Sequence, residues 1–112
     1  MKLSVVIPVH NGGSDLQMCL EALLRSTRPP DELIVIDDAS SDGSAELAAR
    51  YGNVILSQSQ GPAGPARARN LGAARAQSDI VLFLDADVAV HANTLALIER
   101  HFAEYPETAA LF

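Results

Sequence analysis

Residues 33–44 read Leu-Ile-Val-Ile-Asp-Asp-Ala-Ser-Ser-Asp-Gly-Ser, an aliphatic run that gives way to acids, serines and a glycine before helix-forming sequence begins. A short, continuous aliphatic run is the pattern of a strand covered on both faces, and covering both faces of a sheet takes helices on each side. The Asp, Ser and Gly that follow suit a tight loop beyond the strand's carboxyl end. Outward from this stretch the same alternation repeats. Strand-like runs fall at Leu3 to Ile7, Val54 to Leu56 and Ile80 to Leu84.

Helix patterns lie between them. Leu16, Cys19, Leu20, Leu23 and Leu24 fall at i, i+3, i+4, i+7 and i+8, one apolar stripe with Ser14 or Asp15 as its cap and Pro29-Pro30 as its terminator. A second helix is predicted from Ser44 to Tyr51, with Ser41 or Asp42 ahead of it and Gly52 as its stop. A third starts with Pro65 after Gly64 and runs to about Gln77; a fourth carries Leu95, Ile98, Phe102 and Tyr105 and stops at Pro106. Ala109 to Phe112 reads as the opening of a further strand. The switching period predicts an α/β fold, a Rossmann-like three-layer αβα sandwich with a mainly parallel sheet, as a single domain over residues 1–112.

Composition narrows the function. In 112 residues, 8 Lys and Arg against 14 Asp and Glu leave a net charge of −6, which repels nucleic acid. An anionic ligand must then be held locally, by a metal ion, a helix N-terminus or one or two arginines. The lone Cys19 rules out an internal disulfide and suits a reducing compartment, so the cytoplasm is the expected location. No apolar run approaches the ~18 residues of a membrane span, and Met1 to Ile7 is too short for a signal-peptide core.

In an open α/β sheet the ligand site lies beyond the carboxyl ends of the strands, and here those positions are polar. They hold Pro8-Val9-His10-Asn11-Gly12-Gly13, then Asp37-Asp38-Ala39-Ser40-Ser41-Asp42-Gly43, then Asp85-Ala86-Asp87. Clustered carboxylates are costly unless a cation or a donor-rich ligand offsets them. If the chain stays extended after the last strand, Asp85 and Asp87 point to one side and can share a hard cation such as Mg²⁺ or Mn²⁺. The plain alternative is that Asp85 ends the strand and caps a turn. Asp37 and Asp38 suit hydrogen bonds to a nucleoside, or equally a loop; His10 suits stacking on a base, or a loop position. Gly61-Pro62-Ala63-Gly64-Pro65 followed by Arg69 suits a phosphate, whereas Arg67 reads as a solvated helical position. Cys19 and Met18 read as structural or surface residues, and His91 and His101 have no partner at metal-ligand spacing.

Four stretches carry a resemblance: residues 4–11 (Ser-Val-Val-Ile-Pro-Val-His-Asn), residues 33–44, Gly64 through Ala68-Arg69-Asn70-Leu71-Gly72, and Leu82-Phe83-Leu84-Asp85-Ala86-Asp87. In order and spacing they resemble the nucleotide-binding half of a family 2 glycosyltransferase of the GT-A fold. The resemblance implies a nucleotide-sugar donor, usually UDP-linked, and Mn²⁺ or Mg²⁺ bridging protein and diphosphate. By position, Pro8 and His10 would line the base pocket with Asn11 beside them, His10 standing where the family often has a stacking Tyr. Asp38 would bind uracil and Asp37 support its loop. Asp85 would contact ribose or the metal's water shell, Asp87 would ligate the metal, Arg69 would lie near base or phosphates, and Asn70 would steady the loop. In that family the acceptor site and the carboxylate general base follow in a second half. This chain is therefore expected to be a fragment that binds donor without transferring sugar, and no catalytic residue is assigned within it. A full-length form is expected to act on an acceptor hydroxyl, at the inner face of the membrane if not free in the cytoplasm.

Other readings follow from the same residues. A receiver-like Mg²⁺-binding signalling domain shares the length and the acidic edge, but it places paired acids after strand one, where this chain has His10 and Asn11. A dinucleotide-binding domain needs G-x-G-x-x-G there, and Gly12 and Gly13 are adjacent. A non-catalytic nucleotide-binding module is a further option, and an unfinished sheet edge favours a homo-oligomer.

Overall fold

Strands and helices alternate throughout the computed structural model, which describes residues 1–56 and 63–111. The order is β1 (Leu3–Val9), α1 (Gly13–Leu24), β2 (Glu32–Asp37), α2 (Ser44–Ala48), β3 (Asn53–Leu56), α3 (Pro65–Arg75), β4 (Ile80–Phe83) and α4 (Thr94–Glu104). The strands form one parallel sheet in the order β3-β2-β1-β4. Register pairs Val5 with Leu33 and Leu82, and Val9 with Asp37.

The pleat sorts the side chains of β1 onto two faces. Leu3, Val5, Ile7 and Val9 face a layer built from Leu16, Cys19, Leu20 and Leu23 of α1, Ala48 of α2 and Leu95 of α4. Val6, Ile34 and Ile36 face the other way, against Ala68 of α3, with Leu71 and Val81 alongside. Among the described residues three helices thus cover one side and one helix the other, which completes the expected αβα sandwich. The lone helix sits close: a Cβ added to Gly72 would collide with the Val6 side chain.

Boundaries depart from expectation where tertiary contacts decide them. α1 begins at Gly13 with Gly12 as its cap residue, not at Ser14 or Asp15, and it ends at Leu24, well before Pro29-Pro30. α2 stops at Ala48 instead of Tyr51. The chain there must turn onto the sheet, and Gly52 lies so near that an added Cβ would stand 2.8 Å from the Leu33 carbonyl. α3 stops at Arg75 because Ala76 is extended and Gln77 N donates to Glu32 Oε1 at 3.1 Å. Ala109 to Leu111 do not form the expected strand. A strand needs a ladder partner, and among the described residues β4 pairs with β1 alone, so this segment stays exposed. Phe112 lies outside the described residues. No helix among the described residues is long and apolar enough to cross a membrane.

Candidate functional site

Strand order reverses at β1, since β2 lies on one side and β4 on the other. A crevice opens at such a switch point beyond the carboxyl ends of the strands. Two clefts flank His10 there. The larger, about 270 Å³, is lined by Pro8, His10, Asn11, Asp15 and Asp87 among others. The smaller, about 90 Å³, lies between Pro8, His10, Asp38, Pro65 and Ala68. A wider depression of about 520 Å³ lies at the opposite, amino ends of the strands. Its acids are already engaged: Asp31 accepts from Leu3 N and pairs with Arg28, and Glu32 accepts from Ser4 Oγ and Gln77 N. The carboxyl end is therefore the better site.

His10 carries its ring between the two clefts. Its Nδ1 lies 2.7 Å from the Asp38 carbonyl oxygen, which can only accept, so Nδ1 carries a proton and donates it. Asn11 Nδ2 stands 3.4 Å from the ring's Nε2. Asn11 adopts φ 53, its amide donates to Ser40 Oγ at 2.9 Å, and its Oδ1 accepts from Ser41 N at 2.8 Å. Its side-chain oxygen thus stitches two loops together.

Asp37 and Asp38 differ sharply. Asp37 is 4% exposed at the end of β2; its Oδ2 accepts weakly from Ser40 N at 3.4 Å, and its Oδ1 has no hydrogen-bond partner among the described residues. It supports the loop from below and does not reach either cleft. Asp38, 5% exposed, borders the smaller cleft, and its carboxylate accepts from Ala63 N at 2.9 Å and Gly64 N at 2.8 Å. Two backbone amides tie this acid to the start of α3. The expected phosphate loop includes Gly61 and Pro62, which lie outside the described residues.

The Asp85-Ala86-Asp87 segment corrects the extended reading. β4 ends at Phe83, and Val88 N donates to Asp85 O at 3.1 Å, closing a turn over Ala86 and Asp87. A turn removes the two-residue period, so the two side chains part company. Asp85 receives Arg69 Nη2 at 3.1 Å, whereas Asp87 lines the larger cleft with Asp15. Among the described residues no group of three His, Cys, Asp or Glu side chains is arranged to hold a metal. Arg67 is exposed, as expected, and so is Asn70, which bonds no loop atom among the described residues.

Cys19 underlies this turn. It is fully buried, its Sγ donates to Asp85 O at 3.8 Å, and burial, helped by the negative charge of Asp87, pushes its pKa up to about 11. It is a neutral thiol that pins the end of β4 to α1.

Sequence reasoning assigned no role in the site to Asp15, Ser44 or the first turn of α1. The first amides of that helix are received by Ser44 Oγ (from Gly12 N, 3.1 Å) and Asp42 Oδ2 (from Gly13 N, 3.0 Å). The Ser44 hydroxyl, followed by the Ser44 and Gly13 amides, holds the Asp42 carboxyl below the usual carboxylate range. An Asp-Gly-Ser run before a helix marks a local cap, but its reach to a second helix is a tertiary fact.

Comparison with known proteins identifies the family. A family model described as Glycosyl transferase family 2 matches residues 4–112. Over 93 residues the sequence is 40% identical to an uncharacterized glycosyltransferase, YibD, of Escherichia coli K12, a stretch covering 80% of this chain and 27% of that protein. The fold is similar to S. aureus TarS 1–349 in complex with UDP-GlcNAc, with TM-score 0.83, 28% identity, and 95% of this chain and 32% of that one covered. It is also similar to the mannosyltransferase PcManGT of Pyrobaculum calidifontis in complex with GDP-Man and Mn²⁺, with TM-score 0.79, 26% identity, and 91% and 32% covered. The chain thus spans about a third or less of the length of each of these relatives.

Proposed function

The chain belongs to glycosyl transferase family 2, and from that premise we propose that it forms the donor-binding part of an enzyme that transfers sugar from a nucleoside diphosphate, UDP in the first instance, to an acceptor hydroxyl. Membership in this family sets aside the receiver-like reading. The observation that carries the proposal is the pair of clefts divided by His10 at the strand-order reversal, with Asp38 on one side and Asp87 on the other. Bound UDP-GlcNAc in TarS and bound GDP-Man in PcManGT support the same class of ligand.

In this reading the base enters the smaller cleft, against Pro8, His10 and Asp38, while the diphosphate lies towards Asp87. Arg69, half-exposed and paired with Asp85, would exchange that bond for a phosphate oxygen, which would leave Asp85 for the ribose or for the water around a bound cation. Asp87, with Asp15 on the same cleft, would hold a hard divalent cation, Mn²⁺ or Mg²⁺, the oxygen chemistry of two carboxylates being suited to such an ion. When bound, such an ion offsets charge on the departing nucleoside diphosphate. Transfer also needs a base to take the proton of the acceptor, and none of the described residues is proposed for that role. A neutral, buried Cys19 suits a reducing compartment, and the cytoplasm is the proposed location.

Calorimetric titration with UDP and Mn²⁺ tests this. We expect saturable heat that is weakened about tenfold or more by Asp87→Asn. No saturable heat with UDP, GDP, CDP or ADP, with or without Mn²⁺, would overturn the proposal.

A further inference from the structure

The loops after β1 and β2 are laced together at three levels, the middle one being Asn11, whose amide donates to Ser40 Oγ at 2.9 Å and whose Oδ1 accepts from Ser41 N at 2.8 Å. At the inner level, next to the sheet, Asp38 N donates to Val9 O at 2.8 Å and His10 Nδ1 to Asp38 O at 2.7 Å. At the outer level the knot is Asp42. Its Oδ2 accepts from Gly13 N at 3.0 Å, and its Oδ1 accepts from Ser44 N at 3.1 Å and from Ser44 Oγ at 2.5 Å. Ser44 Oγ in turn accepts from Gly12 N at 3.1 Å. One carboxylate and one hydroxyl therefore close a ring across two loops and two helix starts. α1 has no side-chain cap of its own at Gly12, so this ring is what satisfies its first amides.

The backbone around the ring is strained. Asn11 (φ 53), Gly13 (φ 55), Ala39 (φ 61) and Gly43 (φ 85) all occupy the left-handed region. For Asn11 and Ala39 that conformation costs free energy and persists only where the surroundings over-determine it. Without the outer tie, relaxation of these residues would change the gap between His10 and Asp38.

We propose that Asp42 is a positioning residue for donor binding: it sets the separation of His10 and Asp38, and so the choice of base, without lining either cleft. The assignment rests on the nucleotide-site reading given above. It predicts a specific imbalance. Contacts to the base depend on the gap between the loops, whereas contacts to the diphosphate at Arg69 and Asp87 come from α3 and from the turn after β4.

The test compares wild-type protein with Asp42→Ala and Asp42→Asn, the latter keeping the size of the side chain but presenting an amide donor to the ring. Arg28→Ala, at the other end of the sheet, serves as a destabilised control. Affinities are measured by calorimetry for UDP, GDP, CDP, ADP and inorganic pyrophosphate, each with Mn²⁺. The Gly13 amide is followed by NMR in the nucleotide-free protein. For the Asp42 variants we expect about a tenfold loss for the preferred nucleoside diphosphate and reduced discrimination among the four. Pyrophosphate binding should be unchanged within about twofold, with a displaced Gly13 amide resonance. If neither Asp42 variant folds, Ser44→Ala opens the same ring at Gly12 and should give the same imbalance. Equal losses for nucleotides and pyrophosphate, reproduced by Arg28→Ala, would reduce Asp42 to a structural cap and overturn the assignment. So would unchanged discrimination with a displaced Gly13 resonance. Wild-type protein that binds none of the four nucleotides would overturn the site itself, and the assignment with it.

Discussion

His10 Nδ1 stands 2.7 Å from the carbonyl oxygen of Asp38, so one hydrogen bond joins the ends of β1 and β2 across 28 residues of sequence. The bond keeps a proton on Nδ1 and orients the ring over the smaller cleft. Removing it tests both its structural and its binding role. His10→Ala should cost about 0.5–1.5 kcal/mol in denaturant unfolding. It should also weaken UDP binding about tenfold through lost stacking, given the ~1–3 kcal/mol that base–aromatic stacking supplies. His10→Tyr should keep most of the affinity, because the aromatic face remains. Equal binding by His10→Ala and wild type would remove His10 from the base pocket.

Arg69 and Asp85 form an exposed ion pair at 3.1 Å, with side chains 39% and 63% exposed. Pairs of that kind contribute about 0–1 kcal/mol, so the bond can be exchanged for a ligand. Arg69→Gln should leave the urea midpoint nearly unchanged while weakening nucleoside diphosphate binding several-fold, most visibly at low salt. A large stability loss with intact binding would assign the pair to the fold alone.

Cys19 gives a pH dependence of definite sign. Burial raises its pKa from the ordinary thiol value of 9.0 to about 11, so the stability it contributes is present below pH 9 and is lost as pH rises towards 11. The loss should approach about 2–3 kcal/mol. Unfolding followed from pH 8 to 11 should show this decline in wild type and a flatter profile in Cys19→Ala. Thiolate-directed reagents at pH 8 should label the chain only once it unfolds.

Gly72 marks the close approach of α3 to the sheet. Gly72→Ala gains helix propensity but drives a methyl into Val6, and the overpacking should win by about 1–3 kcal/mol. The pairing Gly72→Ala with Val6→Ala should recover part of that loss in denaturant unfolding; strict additivity of the two would show that they do not meet.

Most of the fold was legible in the sequence because both faces of the sheet are covered. Val5 to Ile7 and Leu33 to Ile36 therefore read as uninterrupted aliphatic strands, and the α1 stripe from Leu16 to Leu23 follows the helical period. The site was legible to the extent that topology governs it: His10, Asp38, Arg69 and Asp87 do sit at the carboxyl ends of the strands or at the start of α3. What departed from the reading did so for different physical reasons. The cap of α1 comes from Asp42 and Ser44, some thirty positions on, and no local pattern announces it. The two-residue period of Asp85 and Asp87 breaks because the chain turns after β4, whereas Asp37 accepts from Ser40 N within the loop it was expected to support. Ala109 to Leu111 are apolar enough for a strand but lack a neighbour to pair with among the described residues.

The unequal helix layers have an evolutionary corollary. The amides that hold Asp38 belong to the single-helix side, at Ala63 and Gly64, whereas Asp15 grows from the three-helix side. Changes to the α3 entry can retune one cleft while the thicker layer, with most of the core, keeps the other intact. The two clefts nevertheless share Pro8 and His10, so a change at either of those residues reaches both at once.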